Sequence, residues 1–176
     1  MDFINVKIDK KEASRGELYD VATKAVHSLL DAKMTFSSAE SCTGGLVGGT
    51  VTAVSGSSAV YFGGIITYTN DIKINVLGID SSLIDEYTEV SAPVARQMAE
   101  RVREKLSSDI GVSATGFAGP TGGNENDPVG TVYVGIADKN NSSIYRLSYS
   151  VGTEREEIRL MTVQFILEKL ALIVNK

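Results

Sequence analysis

The segment Ala39-Glu40-Ser41-Cys42-Thr43-Gly44-Gly45 ends an apolar run and leads into the small-residue stretch 44–53, which reads as a helix. A hydroxyl, a thiol and two glycines at such a junction make a candidate nucleophile turn. The N–H groups at a helix start lack intrahelical partners, so they can face an anion or a developing oxyanion, and glycine lets backbone and ligand approach closely. The competing reading is a tight strand-to-helix connection in which Ser41 and Thr43 only cap the helix. On this segment alone the two readings stand level.

Upstream, Ser14 and Glu17 have capping-box spacing, and Leu18, Val21, Ala22, Ala25, Leu29 and Leu30 recur on one face, predicting a helix over 15–32. Residues 34–39 make a short strand. Downstream, 60–69 is rich in β-branched and aromatic residues and reads as a second strand, followed by a helical turn over 71–77. Residues 81–86 form a short helix, and Ser91 with Pro93 opens a longer one to Leu106. The next strand spans 109–115. Residues 116–129 hold Gly116, Gly119, Pro120, Gly122, Gly123 and Pro128, too many breakers for regular structure in a segment too long for a tight turn, and so read as a functional loop. Strands over 131–137 and 143–151 flank the hairpin turn Lys139-Asn140-Asn141. Thr153 with Glu156 repeats the capping-box spacing and starts a helix to Val174. The order is α-β-α-β-α-α-β-β-β-α. Helix-linked strands favour parallel pairing and the late hairpin must be antiparallel, so the expected class is α/β: a three-layer α/β/α domain with a mixed, mostly parallel sheet. Residues 15–176 form one domain in this reading, and 1–14 an amino-terminal extension.

The 176 residues suffice for one buried core and a single active site. Lys plus Arg number 17 against 22 Asp plus Glu, a net charge of -5 with no block of like charge, which argues against nucleic acid or an acidic membrane as partner and for a small molecule. No run approaches the roughly 20 apolar residues of a membrane span, and the first residues lack the apolar core of a signal peptide, so a cytoplasmic protein is expected. The chain's one Cys, Cys42, and one His, His27, exclude an internal disulfide and a multi-ligand Cys/His zinc site, and no spacing suggests a carboxylate-bound metal. His27 falls inside the first predicted helix and reads as structural. A nucleophilic Ser41 then needs a base other than histidine. Helix-covered α/β domains often assemble symmetrically, so a homodimer or larger homo-oligomer is expected.

Further blocks follow the opening segment in order: Ser55-Gly56-Ser57-Ser58, Gly64-Ile65-Ile66-Thr67-Tyr68-Thr69-Asn70-Asp71-Ile72-Lys73, Val90-Ser91, Thr115-Gly116-Phe117-Ala118-Gly119-Pro120-Thr121-Gly122-Gly123 and Pro128-Val129-Gly130-Thr131-Val132. In these blocks, which span most of residues 15–176, the chain resembles the carboxy-terminal domain family of the competence and damage-inducible protein CinA. Stand-alone members of that family include nicotinamide mononucleotide amidohydrolases. The resemblance implies hydrolysis of the carboxamide of nicotinamide mononucleotide to nicotinic acid mononucleotide and ammonia, without a cofactor. It also implies a serine nucleophile with a lysine partner, which carry over to Ser41 and Lys73. A lysine that is partly desolvated, or held near other cations, can become a neutral base able to take the serine proton.

Tyr68 lies five residues before Lys73 and is assigned a supporting role, relaying a proton or orienting the lysine. Arg155 matches an arginine common after the family's final strand, although Gly152-Thr153-Glu154-Arg155 is one residue longer than the usual Gly-Asp-Arg form. Its guanidinium suits a phosphate, or repulsion that keeps Lys73 neutral, and Arg159 shares its face one turn later. The backbone N–H groups of Cys42 and Thr43 are the candidate oxyanion hole. With Gly44, Gly45 and Asn70, the loop residues Thr115, Gly116, Ala118 and Gly119 complete the candidate substrate-binding set. Cys42 competes with Ser41, since thiols are the better intrinsic nucleophiles and helix starts lower their pKa. Two rival functions stand beside the main one: an amidase for another nucleotide or small amide, and a non-catalytic nucleotide-binding or protein-interaction domain.

Overall fold

The computed structural model describes residues 2–9 and 13–173. Its strands are β1 (Ile4–Ile8), β2 (Phe36–Glu40), β3 (Tyr61–Ile66), β4 (Ile110–Gly116), β5 (Thr131–Ala137) and β6 (Ser142–Tyr149). The helices are α1 (Arg15–Ala32), α2 (Leu46–Thr52), α3 (Asn70–Ile72, continued by a π-helical turn, Lys73–Leu77), α4 (Ser81–Tyr87), α5 (Ala92–Leu106) and α6 (Arg155–Ile173). One sheet runs β1-β6-β5-β4-β2-β3. Strand β2 lies parallel to both β3 and β4, β1 lies parallel to β6, and the β4–β5 and β5–β6 pairs are antiparallel. The mixed, mostly parallel sheet expected from the sequence is present, with helices on both faces.

Alternation along the strands divides the core. Phe36, Val112, Ala114, Val132, Val134 and Leu147 face a large apolar cluster with Leu18, Ala22 and Leu29 of α1, Val47 and Val51 of α2, and Ile158, Ile166 and Leu170 of α6. Ala39 faces the other way, onto Val94, Met98 and Val102 of α5. Successive strand residues point to opposite faces, so one strand serves both layers. Helix α5 lies very close to the sheet: a Cβ at Gly135 would stand 2.5 Å from the Ala95 carbonyl oxygen, so glycine is required there. Ser113 between them donates to that same carbonyl at 2.6 Å.

Two local expectations change. Strand β1 lies in the segment read as an extension, and adds Ile4–Ile8 to the sheet edge in register with Tyr145–Tyr149. Its alternation is weak, because Ile4 and Asn5 are both exposed. The predicted capping box of the last helix is shifted by one residue. Thr153 Oγ1 donates instead to the Ser150 carbonyl, and Glu157 rather than Glu156 reaches back, accepting from the Glu154 N–H. The capping box at Ser14 and Glu17 forms as read. The predicted end of α6 at Val174 lies outside the described residues. No helix among the described residues is long and apolar enough to cross a membrane.

Candidate active site

Strands β4, β2 and β3 are neighbours and parallel, so their carboxyl ends open on one edge of the sheet, where open α/β folds place ligands. Ser41 follows β2, Thr67 and Tyr68 follow β3, and Thr115 to Ala118 end β4 and begin the loop after it. Ser41 N–H donates to Ala114 O at 2.9 Å and Thr67 N–H to Glu40 O at 2.8 Å, extending the ladder one residue into the site.

The turn after Ser41 is shaped by an internal carboxylate. Glu40, buried at the end of β2, accepts from the N–H groups of Gly45 at 2.9 Å, Val47 at 3.0 Å and Gly48 at 3.0 Å, and from Ser38 Oγ at 3.1 Å. It therefore satisfies the free donors at the start of α2 and places negative charge at the positive end of the helix. Gly44 N–H returns to Ser41 O at 3.1 Å. Among the described residues, the N–H groups of Cys42 and Thr43 have no backbone acceptor, and the former meets only the sulfur of its own residue. The small-residue connection is consequently not capped by Ser41 or Thr43. Glu40 does the capping, Ser41 Oγ is engaged elsewhere, and Thr43 Oγ1 is buried without a partner.

Lys73 is the engaging group. It is 1% exposed, and its Nζ donates to Ser41 Oγ at 3.2 Å and to the Thr67 carbonyl at 2.9 Å. Burial is the largest influence on this ammonium and pushes its pKa below the ordinary lysine range; Glu89 and, more weakly, Cys42 oppose the shift. The direction is thus set by desolvation, not by the Arg155 charge considered from the sequence. Lys73 begins the π-helical turn, a winding frequent at functional sites. Ser41 and its neighbour Cys42 differ in their surroundings. Burial raises the Cys42 thiol to about 12, leaving it a protonated packing group, while Ser41 keeps a 9% exposed edge and holds the lysine contact.

Two arginines on the first turns of α6 close the far side. Arg155 donates to Gly119 O at 2.8 Å and to Tyr68 Oη at 3.2 Å, joining the walls formed after β3 and β4. Tyr68 is exposed and accepts from Arg155, while the Thr67 carbonyl just before it accepts from Lys73 Nζ. Arg159 Nε donates to Cys42 O and Nη2 to Thr43 O, each at 3.1 Å, with Nη1 on Glu156 at 2.8 Å.

Residues 18–174 match the model of the CinA C-terminal domain. The chain belongs to this family. A CinA-like protein of Gloeothece citriformis is 48% identical over 126 residues, covering 72% of this chain and 30% of that protein. One from Salinibacter ruber is 53% identical over 121 residues, covering 68% and 29%. The chain thus spans about a third of the length of the curated relatives it matches. Among solved structures, the competence/damage inducible protein CihA of Agrobacterium tumefaciens superposes with a TM-score of 0.86 at 34% identity, covering 95% of this chain and 99% of that one. A CinA superfamily protein from Escherichia coli gives 0.84 at 25%, covering 94% and 95%.

In this CinA C-terminal domain the residues selected from the sequence meet different partners. Ser41 and Lys73 are in contact, and Tyr68 and Arg155 are joined to each other. Gly44, Gly45 and Thr115 are already committed: the two glycine N–H groups bond within the turn, and Thr115 Oγ1 donates to Glu89 O at 2.8 Å. Gly116 is required by packing, since a Cβ there would meet Thr131 O at 2.7 Å, and Ala118 is buried. Gly119 offers its carbonyl to Arg155, and Asn70 stands exposed three residues before Lys73. Sequence reasoning gave Glu40 and Thr67 no role and Arg159 only a shared face. Glu40 did carry a signal: an acid directly before Ser41, followed by a helix whose N-cap, Gly45, has no side chain to do the capping.

Proposed function

We propose that this chain is a serine amidase that hydrolyses the carboxamide of nicotinamide mononucleotide. The observation that carries the reading is the 3.2 Å contact between Ser41 Oγ and the desolvated Lys73 Nζ, with two N–H groups directly after the serine that have no backbone acceptor. Neutral Lys73 takes the Ser41 proton as Oγ attacks the carboxamide carbon. The oxyanion of the tetrahedral intermediate is received by the N–H groups of Cys42 and Thr43. Lys73 then returns its proton to the departing nitrogen, releasing ammonia and leaving an acyl ester on Ser41. Water, deprotonated by Lys73, cleaves that ester to the free acid and regenerates the serine. Arg155, Tyr68 and Asn70 stand where the nucleotide portion would lie, and a homodimer or larger homo-oligomer is part of the same proposal, tested by light scattering.

The test is ammonia release from nicotinamide mononucleotide, nicotinamide riboside and free nicotinamide. The mononucleotide is expected to be preferred, with Ser41→Ala and Lys73→Met each lowering kcat by about 10⁴ or more and Cys42→Ala remaining active. Preference for another amide would transfer the machinery to that substrate. Nucleotide binding without turnover between about pH 6 and 9, a span chosen to cover lysine activation, would instead make the domain a binding module.

A further inference from the structure

Two planar donors of Arg159 hold successive carbonyls of the serine turn, and the consequence lies on the opposite side of those peptides. A trans peptide unit points its C=O and N–H in opposite directions. The Cys42 carbonyl belongs to the unit that carries the Thr43 N–H, so an Arg159 Nε bond of 3.1 Å to that oxygen aims the Thr43 N–H away from α6. The Thr43 carbonyl belongs to the unit carrying the Gly44 N–H, and here both ends are tied: Nη2 holds the oxygen at 3.1 Å, while the N–H closes onto Ser41 O at 3.1 Å. Beyond it, Glu40 takes the N–H groups of Gly45, Val47 and Gly48. Every peptide plane from Cys42 to Gly45 is therefore held by a side chain or by the turn itself, except on the N–H sides of Cys42 and Thr43.

The holder is itself fixed. Arg159 Nη1 is bonded to Glu156 at 2.8 Å, its side chain is three-quarters covered, and Nη2 lies over Gly44, where a Cβ would stand 3.6 Å from it. A guanidinium presents two donors in one rigid plane, which matches two adjacent carbonyls; a lysine ammonium, with rotatable donors on a flexible stem, does not fix both peptide planes at once, and of the two carbonyls only Thr43 O has a second holder, the Leu46 N–H at 3.2 Å.

We propose that Arg159 is a positioning residue that sets the Thr43 N–H, and with it the oxyanion-binding geometry, for acyl transfer to Ser41. The assignment rests on Ser41 being the nucleophile. It differs from the role of Arg155 one turn earlier, which touches the walls and not the turn.

The test compares wild type with Arg159→Lys and Arg159→Gln, using a fluorophosphonate that labels an activated serine and places its phosphoryl oxygen in the oxyanion site. Label stoichiometry counts folded, competent sites, so rates are expressed per labelled Ser41. Expected is a kcat per site lowered by about 10²-fold, the cost of losing one oxyanion donor, with KM within about threefold and the pH midpoint of kcat unchanged. The phosphonylation rate should fall in parallel. A wild-type kcat per labelled site in either variant, with only the number of competent sites reduced, would overturn the proposal. So would a raised KM at constant kcat, which would make Arg159 a substrate-binding residue. Failure of wild type to label at Ser41, with amidase activity surviving Ser41→Ala, would instead overturn the nucleophile itself.

Discussion

Two glycine-rich segments border the site, and they are built in opposite ways. In the turn from Ser41 to Gly45, all residues but Gly44 and Gly45 are buried, and all but two backbone donors are consumed by Glu40, by Ala114 or by the turn itself. The loop from Gly116 to Val129 joins β4 to β5 and is mostly exposed beyond Gly119. Its tip closes through Asn124, which accepts from Asn126 and Asp127, and side chains from outside tie it near both ends: Arg155 to Gly119 O, and Arg146 and Tyr133 to Asp127 at 3.0 and 2.9 Å. Both segments read alike in sequence, as small residues exposing backbone. The difference is whether a buried acceptor has already claimed the donors. The turn is preorganised, which chemistry at a developing charge requires, while the loop leaves most of its residues exposed at the edge of the site.

The strongest way to break this contrast is to empty the turn of its acceptor. Glu40→Ala strands the N–H groups of Gly45, Val47 and Gly48 at the start of α2, while Ser38 keeps its 2.8 Å bond to Tyr61 Oη, and should cost about 3 kcal/mol or more of stability, read as a lowered urea midpoint. Glu40→Gln keeps the shape and loses the charge, so it should cost less while still lowering kcat. If Glu40→Ala unfolded at the wild-type midpoint and kept full kcat, the turn would not depend on its internal carboxylate.

A subtler effect comes from the lysine facing that turn. Burial lowers the Lys73 pKa, so the neutral, base-competent form gains tenfold per pH unit until pH passes the lowered value, and kcat should rise with pH and then level. The stability sign follows from the same shift. The unfolded chain keeps the proton up to about its ordinary 10.5 and the folded chain gives it up earlier, so between those two values the unfolded state binds more protons and stability rises with pH. Below the folded value the full cost of burying the charge is borne. Lys73→Met should therefore stabilise the fold near neutrality and flatten the rise, measured by urea unfolding across that window. An unchanged pH profile in Lys73→Met would remove desolvated Lys73 as its source.

How much of this was readable follows the same physical division. The layered architecture was legible because apolar period and turn chemistry are local, and Ser41, Tyr68 and Lys73 were selected through the motif blocks that carry the family resemblance. Contacts between distant segments were not. Glu40 reads as any strand-end acid until α2 is seen folding back over it, and Arg159 as one charge among Glu154, Glu156 and Glu157 until α6 is docked beside the turn. Strand β1 escaped because its pairing with β6 spans almost the whole chain and one face is exposed. The capping box at Thr153 failed by one residue because the Thr153 N–H and hydroxyl both turn back to the Ser150 carbonyl and Glu156 is held by Arg159, which leaves Glu157 to take the Glu154 N–H.

The smallest expected effect is on the loop, and it sharpens the comparison from the other side. Asp127 accepts from Arg146 Nε at 3.0 Å and from Tyr133 Oη at 2.9 Å, and Arg146 Nη2 also holds Asn126 O at 2.8 Å. The pair is only 19% and 14% exposed, which places it above a freely solvated ion pair, at about 1 kcal/mol. Asp127→Asn keeps an acceptor for Tyr133 and removes the charge, so the loop should loosen at its outer end while Arg155 still holds Gly119. Because no proposed proton-transfer or oxyanion group touches Asp127, kcat should stay within about twofold and KM should rise by a few fold, as expected when only ground-state binding is disturbed. A fall in kcat as large as that from Glu40→Gln would mean that the loop, too, carries preorganised chemistry, and that the two segments differ in exposure alone.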